Sequence, residues 1–424
     1  MRETLLQIWR SRDLRGKIFF TLATLVFIRL IAHIPLPAID RLQLDNFLNQ
    51  SQNQVFGVLG IFTGGSLSNL SIDLMGVGPY ITASIVVQLL TKVIPAWEEI
   101  HKEGSNGRER LNQYSRYLTI PMAIIQGYGT IALLKSQNVL TNMDTGGVIV
   151  TLLTITATSI FVMWLGELIS ERGIGNGISM IIALGIVAGI PQQIANTATA
   201  VQGGNFSSLI IFMVIALATV VLIVIMNDAE RKLPITYPRR VISPGKGSQV
   251  DSYLPIKVNT AGVIPIIFAL SFITFPTIIA RFLTTAQSQT LVNIGNAITS
   301  FTGQDLYYAL VYFVLVVVFT FFYTFIIFHP EEVSENLQKQ GGFIPGVRPG
   351  RETAEFIRYT LSRLTAIGAL FLGVISVVPL IVQNVVDIST LVIGGTSIII
   401  VVSVVIDTNR QLSGQLSMRK YDIV

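Results

Sequence analysis

The chain has 424 residues, of which 51% are hydrophobic and only 12% charged, with a formal net charge of +5 and no cysteine. A water-soluble domain of this size could not hide so much apolar surface in one core, so the composition excludes a soluble globular protein and points to a polytopic membrane protein. Absence of cysteine removes disulfides and thiolate metal sites, and the three histidines, His33, His101 and His329, are scattered along the chain and read as span-end or loop residues rather than metal ligands.

The N-terminal stretch MRETLLQIWRSRDLRGK is basic and amphipathic and shows no cleavage site after its first apolar run, so it reads as a retained segment at the membrane surface. A crossing helix needs about 20 mostly apolar residues. The first such run is 18–34. After it, GIFTGGSLSNLSIDLMGVGPYITAS (60–84) is too apolar for a surface loop and too polar and glycine-broken to cross a bilayer, yet it leads into the second run, 77–94. Runs three and four are 118–134 and 148–169. GIGNG then follows a membrane helix instead of a strand, which makes it a tight span-to-span turn and not a nucleotide loop. The fifth run, 178–190, is short and continues through the more polar PQQIANTATA, as a helix facing protein or water would.

The sixth run is 209–226, and after it RKLPITYPRRVI and DSYLPIKV flank the turn SPGKG, predicting a projecting hairpin. Runs seven and eight are 261–279 and 307–328. Beyond them, QKQGGFIPGVRPGRETAEFIRYTLSRLT places two Pro-Gly turns around Arg348 and opens a helix near Thr353. The ninth and tenth runs are 364–382 and 391–406.

Cytoplasmic loops retain Lys and Arg. With the N-terminus inside, 25 of the 29 basic residues fall on that side, whereas the outer loops keep Arg41, Lys135 and Arg281, and Arg29 lies within the first span. The expectation is therefore an all-α polytopic membrane protein with ten transmembrane helices and both termini cytoplasmic. Ten spans divide into five and five, 1–203 and 204–424, around TATAVQGGNFSS. An odd number of crossings in each half inverts one half relative to the other, leaving a path at their interface.

Secondary transporters and protein-conducting channels both use that design. A coupled transporter needs charged groups near the midplane, where each costs about 2.5–3.5 kcal/mol on insertion scales. Here Glu167, Asp228 and Asp407 sit at the cytoplasmic ends of their spans, and the helix openings offer aliphatic side chains instead: Val77 and Ile81, Ile178 and Ile182, Ile267, and Ile400. Within each pair the i, i+4 spacing puts both on one helix face, a pattern that ordinary lipid or core packing also produces. The two large basic inner loops suit an acidic partner, ribosomal RNA or a docking protein, and equally satisfy the positive-inside bias as solvated loops.

IPLPAID, IFTGGSLSNLSI, MGVGPYITASIVVQLL, EGSNGRERLNQYSRYLT, MWLGELISERGIGNGISMIIALGIVAGIP, KVNTAGVIPIIF, HPEEVSENLQKQGGFIPGVRPG and GGTSIIIVVSVVID, in this order, resemble the signature blocks of the SecY family, the pore subunits of the bacterial protein-translocation channel. The resemblance implies a central hourglass pore closed by a plug half-helix at about 60–74, where Gly60, Gly64 and Gly65 supply the hinge and Leu67, Leu70 and Leu74 a small apolar stripe. It maps the constriction ring onto Val77, Ile81, Ile178, Ile182, Ile267 and Ile400. Branched aliphatic side chains offer a passing polypeptide no hydrogen bond and resist wetting.

The same resemblance assigns a lateral gate to the second span against the seventh, with the third and eighth alongside. Ser84, Gln88, Gln126, Asn259 and Thr260 are the polar groups that could zip it, or that a helix bundle could simply satisfy internally. Cytoplasmic loops at about 229–258 and 329–362 are implied to dock partners through Arg239, Arg240, Lys246, Arg348 and Arg351. The hairpin turn differs from the more basic family pattern, whereas PGVRPG is intact. The family works with SecE and often SecG, driven by the ATPase SecA or a translating ribosome, on signal sequences and unfolded polypeptides that it moves across the membrane or releases into lipid. The implied location is the bacterial cytoplasmic membrane. No cofactor or catalytic residue is expected, and a small-solute transporter is the alternative.

Overall fold

The computed structural model describes residues 11–36, 70–136, 144–201, 206–237, 252–284, 288–302, 305–386 and 394–421. In chain order the helices are α1 (Arg12–Ile31), α2 (Gly78–Val93), α3 (Pro95–Lys102), α4 (Ser105–Ser136), α5 (Thr145–Arg172), α6 (Gly177–Val201) and α7 (Phe206–Asp228). The strands β1 (Glu230–Ile235) and β2 (Ser252–Lys257) follow, then α8 (Ile264–Thr284), α9 (Gln289–Thr302), α10 (Asp305–Ile327), α11 (Pro330–Lys339), α12 (Arg351–Val386) and α13 (Gly394–Tyr421).

Each of the ten apolar runs falls on a separate helix: α1, α2, α4, α5, α6, α7, α8, α10, α12 and α13. Helices dominate because a chain in hydrocarbon must satisfy every backbone N–H and C=O within its own segment. By length and composition alone, Thr145–Arg172, Tyr307–Lys339 and Arg351–Val378 suffice to cross, and Gly78–Val93 with Pro95–Lys102 forms a bent pair turned through 101°. Pro95 causes that bend. The residue before it, Ile94, is forced out of the helical region to φ −98°, ψ 112°, and the amphipathic α3 leaves at the membrane face.

The helices before and after residue 203 meet along two seams. On one, α8 packs against α2 and α4; on the other, α6 packs against α13. Between the seams lies the largest apolar cluster, to which α1, α2, α5, α6, α8, α10, α12 and α13 all contribute. Ion pairs brace the ends of helices within each group: Arg116 Nε donates to Glu167 Oε1 at 2.7 Å, joining α4 to α5, and Arg410 Nη2 reaches Asp228 Oδ1 at 2.5 Å, joining α13 to α7.

The expected hairpin is present as an antiparallel pair, with Glu230 opposite Lys257 and Ile235 opposite Ser252. Its tip, with Arg239, Arg240 and Lys246, lies outside the described residues. The hairpin does not project alone. Thr236 and Phe343 exchange backbone hydrogen bonds at 2.9 and 3.0 Å, and Leu233, Ile235 and Ile256 share a core with Leu337, Ile344, Ile357 and Leu361, so the two large loops form one body.

Candidate functional site

The turn between α5 and α6 sets the geometry. A Cβ on Gly177 would stand 1.9 Å from the Gly166 carbonyl oxygen, and one on Gly166 2.6 Å from Ile178 Cδ1, so the two helices approach as closely as backbone allows. Gly177 N–H donates to Ser170 Oγ at 2.9 Å and Ser179 N–H to Asn176 Oδ1 at 3.1 Å, capping the start of α6. Ile174 N–H donates to Thr21 Oγ1, tying the turn to α1. GIGNG is thus the tight span-to-span turn expected of it. Directly after the turn, Ile178 and Ile182, four residues apart, share a face of α6.

Those two residues enter the largest apolar cluster together with Val77 and Ile81 at the start of α2, Ile267 on α8 and Ile400 on α13. Ile182 is 2% exposed and Ile400 fully buried; Ile178 is partly buried at the edge. All six candidate ring residues therefore lie in one cluster, drawn from four chain segments and from both sides of the seams. A set of branched aliphatic side chains in contact leaves a water file no partner to bond.

Immediately before α2, residues 70–77 run as turns beneath this cluster. Leu36 N–H donates to Leu70 O at 3.0 Å and Ile72 N–H to Ile34 O at 2.9 Å, forming a bridge between Pro35 and Ser71. Leu70 and Leu74 are buried with Leu36, Met75, Ile131, Leu134 and Ile155, at the ends of α4 and α5 away from the basic loops. The last five residues of the expected half-helix, 70–74, are consequently not helical. The bridge takes the Leu70 carbonyl and the Ile72 amide, and Leu70 has φ +38°, a left-handed conformation no α-helix accepts. Gly60, Gly64, Gly65 and Leu67 lie outside the described residues.

The polar groups on the α2, α4 and α8 seam make short-range bonds. Gln88 Nε2 donates to Ser84 Oγ at 3.1 Å within α2, Gln126 Nε2 donates from α4 to Thr82 Oγ1 of α2 at 3.2 Å, and Thr260 Oγ1 donates to Lys257 O at 2.8 Å. Gln88 Oε1 and Asn259 Oδ1 are buried without a partner, one before and one after the midpoint of the chain. Thr82 is a partner on α2 for Gln126 of α4 that sequence reasoning missed; its position six residues before Gln88 carried no signal of its own.

On the loop body, Gly346 (φ +84°) and Gly350 (φ +100°) make the turns that flank Arg348. Thr353 Oγ1 donates to Arg348 O at 2.8 Å and Ser334 Oγ to Gly350 O at 2.6 Å, so the backbone is braced, while the Arg348 side chain is 87% exposed with only Glu352 at 3.9 Å. Arg351, which opens α12, is similarly exposed beside Glu355. His101 and His329, distant in sequence, meet with ring centroids 5.7 Å apart, bringing α3 against the residue that precedes α11. Burial first, then His329, Arg108 and Lys92, hold the His101 pKa below the ordinary imidazole value against the opposing pull of Glu332. Among the described residues no group of three or more His, Asp or Glu is arranged to hold a metal ion.

Residues 71–409 match the family model described as SecY. The chain is 40% identical to protein translocase subunit SecY of Streptomyces griseus over 437 residues, covering 98% of this chain and 97% of that protein. It is 38% identical over 438 residues to the same subunit of Corynebacterium glutamicum, covering 99% and 98%. Among solved structures, a protein-conducting channel superposes with a TM-score of 0.63 at 17% identity, over 93% of this chain and 91% of that one. A SecY structure described for a plug domain that stabilises the closed channel and maintains a membrane seal gives 0.62 at 16% over the same shares. Sec61 in a canine ribosome–channel complex gives 0.59 at 17%, again over 93% and 91%. At these identities the structures attest to the fold.

Proposed function

This chain belongs to the SecY family and is a multi-pass protein-conducting channel, not an enzyme, and we propose that its seal is the ring Val77, Ile81, Ile178, Ile182, Ile267 and Ile400. The observation that carries this reading is the gathering of all six aliphatic side chains, from four separate segments, in one cluster between the two seams. The halves 1–203 and 204–424 part along α2 and α4 against α8, the lateral gate, where Ser84, Gln88, Gln126, Asn259 and Thr260 line the closed seam and the bonds described for Ser84, Gln88, Gln126 and Thr260 stay within one half. Unpartnered acceptors on Gln88 and Asn259 support a seam that a signal sequence can open at low cost. Residues 60–74, including Gly64, Gly65, Leu67, Leu70 and Leu74, act as the plug.

The loop body faces the cytoplasm with both chain ends, as 25 of 29 basic residues on one side support, in the cytoplasmic membrane of a bacterium. There Arg348 and Arg351, with Arg239, Arg240 and Lys246, dock the driving partner, SecA or a translating ribosome. The ribosome-bound Sec61 neighbour supports the second. SecE and SecG complete the channel in the lipid.

The chain lacks cysteine, so single introduced cysteines report without background. With a secretory polypeptide arrested midway and bearing one cysteine, disulfides are expected from Ile81→Cys and Ile267→Cys and not from the lipid-side Leu217→Cys, which is 67% exposed. Equal cross-linking at all three, or none at the ring, would remove the polypeptide path from this site.

A further inference from the structure

The two halves also meet at the face that carries the basic loops, where the imidazoles of His101 and His329 lie with ring centroids 5.7 Å apart. Each ring stands on a braced unit of its own half. His101 is in the last turn of α3, and a Cβ on Gly107 would stand 1.7 Å from the Ile100 carbonyl oxygen, so the end of α3 is seated against the start of α4. Trp97 stacks on Tyr114 at 5.2 Å and fastens the same two helices. His329 links α10 to α11, and Pro330 after it holds its backbone extended at φ −102°, ψ 99°. Ser334 Oγ donates to Gly350 O and Arg358 pairs with Glu331, so α11 is fixed to the start of α12.

The charges that act on His101 come from both halves. Its own half supplies Lys92 in the last turn of α2 and Arg108 near the start of α4; the other half supplies His329 and Glu332 of α11. Further carboxylates close by are engaged, Glu98 with Lys102 at 3.2 Å, Glu103 with Arg110 at 3.3 Å and Glu331 with Arg358, while Glu99 and Glu109 are exposed to water. Burial first, then His329, Arg108 and Lys92, lower the His101 pKa from the ordinary 6.5, and Glu332 opposes them. Between the halves, therefore, His329 outweighs Glu332 in its effect on a charge at His101. Two imidazoles in contact are compatible while one is neutral, whereas two imidazolium rings repel.

We propose that His101 and His329 form a proton-sensitive latch between the two halves, closed while at least one ring is neutral and parted when protons from the surrounding water charge both. Closure lowers the affinity of His101 for a proton, so the closed state binds fewer protons than the parted one. Its advantage is complete above about pH 6.5 and is lost as pH falls below that value. The ratio of parted to closed molecules then rises by up to about tenfold per pH unit. Because α3 packs against both α2 and α4, parting the pair acts directly on the helices at one side of the α2, α4 and α8 seam. The idea rests on the reading of that seam as the gate. It gives the solution on the basic-loop side a control over separation of the halves that the aliphatic ring, which carries no ionisable group, does not have.

The test is the distance between spin labels on Ala96→Cys of α3 and Asn336→Cys of α11, two exposed positions in a chain without cysteine. The full chain, assembled with cysteine-free channel partners in lipid nanodiscs, is measured by pulsed electron paramagnetic resonance at about pH 8 and about pH 5.5. A single short distance is expected at the higher pH, and a longer one should grow at the lower pH by up to about tenfold in ratio for each unit below 6.5. His101→Gln and His329→Gln keep a polar side chain that takes no charge, so each should hold the short distance at both pH values; a merely structural contact would leave no such difference in pH response. Identical distributions at the two pH values with both histidines present, or an undiminished acid response in either glutamine variant, would overturn the proposal. A synthetic signal peptide added at the higher pH tests the premise separately. Lengthening with peptide but not with acid removes the latch and keeps the gate, whereas lengthening with acid but not with peptide removes the gate reading and keeps the latch.

Discussion

Replacing Ile182 and Ile267 by serine tests the seal most directly. Both side chains are nearly fully buried, at 2% and 5% exposure, on α6 and α8, which belong to opposite halves of the molecule. Truncating a buried isoleucine costs about 2–5 kcal/mol in lost contact and residual cavity. Here the cavity opens onto a path between the halves, so the loss appears as easier wetting instead of reduced folding stability. Two such losses lower the cost of hydrating the constriction by at least about 4 kcal/mol, and each 1.4 kcal/mol is tenfold, so the wetted fraction should rise about a thousandfold. The serine hydroxyls add donors and acceptors where none existed. In planar bilayers without a translocating polypeptide, the double variant should show frequent ion-conducting openings where the unaltered channel is silent. Unaltered resting conductance in protein shown by protease protection to be inserted and folded would refute the assignment of these residues to the seal.

Two further outcomes are expected. Arg348→Glu should abolish translocation driven by SecA or by ribosomes in reconstituted vesicles and leave insertion and resting conductance intact, because the exposed side chain contributes well under 1 kcal/mol to the fold; normal translocation with both drivers would reduce it to a solvated loop residue. Gly177→Ala should lower stability by about 1–3 kcal/mol or more, read as an earlier thermal midpoint in detergent, since its Cβ would meet backbone rather than a yielding side chain; an unshifted midpoint would show that the α5–α6 contact is loose.

How much was legible follows from the range of the forces involved. A spanning helix must satisfy its own backbone and match the bilayer with its own side chains, so all ten apolar runs appear on helices, although α4 and α12 begin 13 residues before their runs and α13 ends 15 residues after its run. The hairpin was equally local, with strand-forming runs either side of a Pro-Gly turn. Motif order carried the family across the rest. Tertiary structure decided which apolar residue faces what: Ile400 is fully buried and Val405, five residues along α13, is 60% exposed, although nothing in their chemistry separates them.

Partners distant in sequence were hidden for the same reason. Arg116 and Glu167 are 51 residues apart, and the His101–His329 contact and the Thr236–Phe343 bridge join segments whose own patterns give no hint of each other. Asp73 reads in sequence as one of several polar residues that keep a half-membrane segment from being too apolar. Its burial and its unpartnered Oδ1 appear only in the folded chain, where the Pro35–Ser71 bridge ties the segment to the chain after α1 and Leu70 and Leu74 pack with residues of α4 and α5. Length, apolarity and charge asymmetry act within about one helix and are written into the chain directly, whereas burial depends on which surfaces meet once the helices assemble, and that is a property of the fold.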